Sequence, residues 1–112
     1  MIDLYSFGKM EIQEQVYTKD LIIFPDKIIS PWRRVSGHKI IMKDLLDVFA
    51  YKFEILVIGT GYYGLVKINQ EVYEQAEKKD FSIITAKTSK AVKLFNENQH
   101  TKTTIGAFHL TC

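Results

Sequence analysis

Apolar positions along this chain change their period near residue 42, and that change predicts the fold. Before it, Leu4, Phe7, Met10, Ile12, Val16 and Tyr17 stand in short runs broken by Gly8 and by polar residues. Residues 21–24 are apolar and run into the turn pair Pro25-Asp26, after which Ile28-Ile29 follows. Short apolar runs about ten residues apart, with turn chemistry between them, predict a meander or a pair of hairpins. Pro31 biases Ser30 away from helix, so residues 30–34 leave this region as an extended loop.

After Met42 the pattern alternates helix and strand. Over residues 43–51, Leu45, Leu46, Val48 and Phe49 fall on one broad helical face, with Asp44 and Asp47 outside it. Residues 54–59 are a near-continuous apolar run, as in a strand covered on both faces. Asn69 is a natural N-cap for a helix over residues 70–79 whose inward face is Val72, Tyr73 and Ala76. Glu71 suits the positive end of that helix, and Lys78 with Lys79 its negative end. Residues 81–85 read as a second strand. Thr88 or Ser89 is placed to cap a third helix carrying Ala91, Val92, Leu94 and Phe95 inward, and residues 103–110 read as a closing strand. The strand-helix-strand unit from Ile55 to Ile84 is expected to be parallel, with a right-handed crossover. The class is therefore α/β: one domain over residues 1–112, β-rich to residue 41 and alternating helix with strand from 42 onward.

Composition narrows the function classes. A length of 112 residues suits one core and is too short for a complete two-half dinucleotide fold. The net charge of +2 is small and mixed along the chain, which argues against nucleic acid or an anionic membrane as partner. No apolar run approaches the roughly 20 residues needed to span a bilayer. The first residues lack the basic and apolar regions of a secretory signal. The lone Cys112 cannot pair within the chain, so a reducing cytoplasm is the expected compartment.

Gly59, Gly61 and Gly64 follow the buried run with the G-x-G-x-x-G spacing of dinucleotide-binding turns. Three requirements of such a site are missing. Residues 65–68 intervene before the cap at Asn69, so no helix opens inside the glycines to aim its amides at a pyrophosphate. Thr85-Ala86-Lys87 stands where an acid would hold the ribose, and the chain holds only one such unit. The turn thus reads as a glycine-relieved bend serving the architecture, and no cofactor is expected. An alternative use remains: amides at Thr60 and Gly61 holding a small anion or nucleotide fragment at the strand's carboxyl end.

Trp32-Arg33-Arg34, with Gly37-His38 behind it, is the most polar cluster. Arginines beside an aromatic suit phosphate, carboxylate or an acidic partner; the structural reading makes Trp32 a core anchor and the arginines a solvated rim. His109 and Cys112 resemble half a metal site, but residues three apart on a strand face opposite ways, and His38 and His100 are distant in sequence. Zinc usually takes four defined ligands, so no metal is expected. Asp3, Asp20, Asp26, Asp44 and Asp47 read as turn and helix-surface residues. Tyr62-Tyr63, beside three glycines, either form an exposed recognition patch or pack over the turn.

Ser30-Pro-Trp-Arg-Arg34, Gly37-His38, Asp44-Leu45, Val57-Ile-Gly-Thr-Gly61, Ala91 with Phe95-Asn96, and Phe108-His-Leu-Thr-Cys112 occur in that order. Together they resemble the domain of unknown function 498 family, which includes an adipogenesis-associated protein and a mitochondrial complex I assembly factor. The resemblance implies a three-layer α/β fold: a small β portion and a central mixed sheet of about five strands, the last running antiparallel, with helices on both sides. It implies no reaction and no cofactor. The family often carries a second aromatic after the tryptophan, where this chain has Arg33.

These readings favour a small non-enzymatic interaction or assembly module that binds another protein or itself. Trp32, Tyr62 and Tyr63 would be exposed anchors near the arginines, being residue types enriched at interfaces. In the anion-binding alternative, Gly59, Thr60 and Gly61 supply amides while Arg33, Arg34 or His38 supplies charge. The third reading is an enzyme with His38 as general base.

Overall fold

The computed structural model describes residues 1–112. Strands β1 (Ile2–Ser6), β2 (Lys9–Ile12) and β3 (Gln15–Tyr17) form an antiparallel meander. Ile2, Met10 and Ile12 are its buried residues, set by the period-two pleat. Strands β4 (Leu21–Ile23) and β5 (Ile28–Ile29) make the hairpin around Pro25-Asp26 and join the central sheet, whose order is β5-β4-β10-β7-β9. There β7 (Ile55–Thr60), β9 (Ser82–Ala86) and β10 (Thr104–His109) are mutually parallel neighbours in the order β10-β7-β9, and β4 runs antiparallel to β10. A final short pair, β6 (Lys39–Ile40) with β8 (Lys67–Ile68), is parallel.

Every residue of β7 is buried because its alternate side chains feed two cores. Ile55 and Val57 face one core with Leu21, Ile23, Phe108 and the meander. Leu56 and Ile58 face the other with Ile22, Phe24, Trp32 and Ile105. Helix α3 (Thr88–Asn98) covers the first core through Ala91, Val92 and Phe95. The second is covered by a 3₁₀ turn at Met42–Leu45, by α1 (Leu46–Phe49) and by α2 (Gln70–Lys79). Full burial of an aliphatic side chain is worth about 1.5–3 kcal/mol, so this doubly covered strand organises the molecule. It is a three-layer α/β fold, as the sequence and the resemblance imply. Asn69 caps α2 by accepting the Glu71 N–H at 2.9 Å, and Asp80 closes that helix in the left-handed region, at φ 62°.

Local expectations are corrected at three places. The last strand is not antiparallel within the helix-strand unit: β10 runs parallel to β7, because α3 carries the chain back across the sheet, and only β4 opposes it. Residues 42–49 are a 3₁₀ turn and then one α-turn, so the inward positions are Leu45 and Val48, three apart as a tighter helix requires. Leu46 is consequently 60% exposed. Thr88 does not cap α3: Lys87 holds the cap position and makes no side-chain bond, while the buried Thr88 hydroxyl turns toward the ends of β7 and β10. The expectation that no helix opens inside the glycines holds: between that turn and α2 the chain forms strand β8.

Candidate functional site

The carboxyl ends of β7 and β10 hold the concentrated polar chemistry. Antiparallel register between β4 and β10 pairs Leu21 with Phe108, which sets Asp20 beside His109 although 89 positions separate them. Asp20 Oδ2 accepts from Arg34 Nη1 at 2.6 Å and lies 2.7 Å from His109 Nδ1, while Oδ1 accepts the Leu110 N–H at 2.9 Å. A carboxylate offers only acceptors, so Nδ1 carries a proton and donates it to Asp20. The 3.2 Å approach of Arg34 Nη2 to Nδ1 is then a contact between two donors. Burial pushes the Asp20 carboxyl up, but hydrogen bonds from His109, the Leu110 amide and Arg34 outweigh it and leave it below its ordinary value.

Arg34 belongs to the interior. Its side chain is 5% exposed, and its guanidinium carbon lies 4.9 Å from the centroid of Trp32. Its Nε has no acceptor. Trp32 is itself buried at 6%, with its indole N–H donated to Asp44 O at 3.0 Å. Of the two readings of Trp32, the core anchor holds and the exposed interface anchor is corrected; the solvated rim holds for Arg33 but fails for Arg34. The surface-turn reading of Asp20 also fails: an acid opening a strand is carried inward when a cation and an imidazole meet it there.

The glycine turn is locked from below. Thr88 Oγ1 donates to His109 O at 2.6 Å and accepts the Gly61 N–H at 2.9 Å. Tyr62 N–H goes to Thr111 O at 2.9 Å, and Gly61 O accepts from Thr88 N–H at 3.1 Å. Thr60 Oγ1 donates to Ala86 O at 3.1 Å. At Gly59 a Cβ would lie 2.8 Å from both Phe108 Cδ1 and Thr88 Oγ1. At Gly61, where φ is +103°, it would lie 2.9 Å from His109 Cδ2. These two glycines allow β7, β10 and α3 to close on one another. Tyr5 donates its hydroxyl to Leu110 O at 2.9 Å. Burial, with Tyr62 and Asp20 nearby, pushes that phenol up to about 12 against a smaller opposing effect of Thr88.

The predicted residues therefore divide. His109 stands between the Trp32 loop and the glycine turn, touching Arg34 on one side and Gly61 on the other. The Gly61 and Tyr62 amides donate within the chain. Arg33 and His38 are exposed, and the backbone of His38 is tied to Ser36 and Lys67. Tyr62 and Tyr63 stand out from the turn, 45% and 58% exposed, beside Phe7 at 50%. Phe7 packs edge-on to Tyr62 at 5.5 Å, and Tyr62 to Tyr63 at 5.1 Å. A groove of about 890 Å³ opens at the other end of the sheet, where Glu54, Thr103 and Thr104 line it with Tyr17 and Lys27, and none of the sequence-predicted site residues does. Asp20, His109, Thr88 and Tyr5 were missed as a group. The one available signal was an ionisable His109 ending an otherwise apolar strand.

A mixed five-stranded sheet between α3 with the meander on one face and α1 with α2 on the other defines a small three-layer α/β protein. Its polar centre is a buried carboxylate, guanidinium and imidazole at the strand ends. The chain belongs to the family described as protein of unknown function DUF498/DUF598, whose model matches residues 2–109. It is similar to the crystal structure of the conserved hypothetical protein PH1505 from Pyrococcus horikoshii OT3, at 26% identity and TM-score 0.88, covering 100% of this chain and 99% of that one. A Bartonella henselae protein described as an outer membrane protein shares the fold at 23% identity and TM-score 0.84, covering 99% of this chain and 94% of that one. Xanthomonas campestris XCC1710 shares it at 13% identity and TM-score 0.78, covering 98% and 83%. No curated protein matches. No helix here is long and apolar enough to cross a membrane.

Proposed function

We propose that this chain is a non-enzymatic interaction domain that binds a polypeptide across the carboxyl ends of its central strands. One observation carries the reading: Phe7, on the β1–β2 turn, packs against Tyr62, and Tyr62 against Tyr63, so that the three rings form a contiguous aromatic ridge, about half exposed, over a glycine turn whose Gly61 and Tyr62 amides bond inside the molecule. A surface already rigid loses little conformational entropy on binding. Tyrosine and phenylalanine are also enriched where proteins meet. The anion alternative is set aside because, of the groups it invokes, the Gly61 amide already donates to Thr88 Oγ1 and the Arg34 guanidinium to Asp20. The free, exposed Cys112 fits work in a reducing compartment, which we take to be the cytoplasm.

Panning a random-peptide display library on wild-type protein, with counter-selection on the Tyr62→Ser Tyr63→Ser variant, tests this reading. Peptides retained by the wild type alone are expected. Selection of nothing, or of peptides that hold both proteins equally, overturns it. Sedimentation of the purified chain at rising concentration reports whether a second copy is the partner.

A further inference from the structure

The loop that carries Tyr62 and Tyr63 runs into a pair of cations without counter-charges. It leads into β8, which pairs with β6 so that Lys39 stands opposite Lys67, and both are exposed. Like charges directly opposite in a sheet are destabilising. The stem of Lys87 packs against the same loop, its Cγ 3.0 Å from where a Cβ on Gly64 would sit. Ion pairs in the molecule join Lys9 to Glu11, and Arg34 and His109 to Asp20; Lys39, Lys67 and Lys87 have none.

Acids are missing from the segments that build this end of the molecule. Residues 31–43, 60–68 and 86–90 contain no aspartate or glutamate, although the chain has 13. The neighbouring carboxylates are occupied: Asp20 by Arg34 and His109, and Asp44 by the Val35 and Ile41 amides at 3.0 and 2.9 Å. A repulsive lysine pair at the end of the tyrosine loop and a third uncompensated lysine packed against its Gly64 thus carry positive charge on the segments next to the rings.

We infer that the partner of this surface is an acidic polypeptide segment with an aromatic or aliphatic residue between its carboxylates. This rests on the ridge being the interaction surface. The apolar residue packs on Tyr62 and Tyr63, while carboxylates on either side reach Lys87 and the Lys39–Lys67 pair. A nucleic acid fits less well, because the rings meet one another edge-on at 72° and 82° and present no parallel row of open faces for stacked bases.

Fluorescence anisotropy tests the inference with three labelled probes: a peptide of about a dozen residues alternating Glu pairs with Phe, the same peptide with Gln for Glu, and a single-stranded oligothymidine of similar length. The acidic peptide is expected to bind, and to weaken about fivefold or more both in Lys39→Gln Lys67→Gln and on raising salt from about 50 to about 300 mM. The Gln peptide is expected to bind more weakly by a similar factor. Equal binding of the acidic and Gln peptides, lost in Tyr62→Ser Tyr63→Ser, overturns the acidic partner while sparing the interaction surface. Oligothymidine binding tighter than the acidic peptide overturns it in favour of nucleic acid. Binding of no peptide overturns it as well, and panning then decides the surface separately. Circular dichroism of each variant confirms that the fold is intact.

Discussion

Replacing Asp20 by Asn keeps the side chain's shape and removes the one carboxylate that faces Arg34 and His109. The Arg34 side chain is 5% exposed, so the cation left behind has no acid and little water to meet it. Breaking a buried pair by removing one partner costs about 3–5 kcal/mol, chiefly from the uncompensated charge. Asn retains one acceptor oxygen for the three donors now held by Asp20 and turns an amide N–H toward the others, which places the expected loss near 3 kcal/mol. Against a total stability of about 5–15 kcal/mol, that is a large fraction. Urea unfolding followed by fluorescence of Trp32, the sole tryptophan, measures it directly, since Trp32 is buried and stacked on Arg34. Adding Arg34→Met to Asp20→Asn should recover part of the loss, because an apolar stem replaces the stranded charge. An Asp20→Asn loss below about 1 kcal/mol, or a double variant less stable than the single, would refute the reasoning. Acid sensitivity arises from the same contacts. The folded state holds the Asp20 carboxyl below its unfolded value of about 3.9. Its contribution is therefore present above that unfolded value and is lost as pH falls through the folded one. The acid limb of the wild-type stability profile should flatten in Asp20→Asn.

Thr88→Val keeps volume but leaves the Gly61 N–H and His109 carbonyl without their bridge; each buried unsatisfied group costs about 1–3 kcal/mol, and denaturant melts should register it. Tyr5 should ionise only near 12, so ultraviolet titration of Tyr5→Phe should lose one tyrosine's worth of absorbance change at that late step. Because the folded phenol holds its proton above the unfolded value of about 10, its contribution is present below that value and is lost as pH rises toward 12.

Much of the architecture was readable from local pattern. The unbroken apolar run of β7 needs cover on both faces, and the sheet supplies it. Asn69, Glu71 and the terminal lysines set α2 where their capping chemistry places it. The turn at Gly59 and Gly61 was legible as a bend before it was legible as a close approach, because glycine spacing reports backbone freedom and not the atoms crowding it. Where local pattern misled, a distant residue had intervened. Leu46 fits a helical face on paper, but a 3₁₀ turn rotates it outward. Trp32 has interface chemistry, and its indole is drawn into the core by Asp44 and Arg34.

Periodicity and capping are short-range properties written into neighbouring side chains, so they fix which segments become strands and helices and which faces turn inward. The meeting of Asp20, Arg34 and His109 has no such local record. It arises because β4 lies antiparallel beside β10, and pairing between strands some ninety residues apart depends on the assembled sheet. The same assembly brings Lys39 opposite Lys67 and lifts Tyr62 beside Phe7, so the surface proposed to bind a partner is a product of strand order rather than of any one segment.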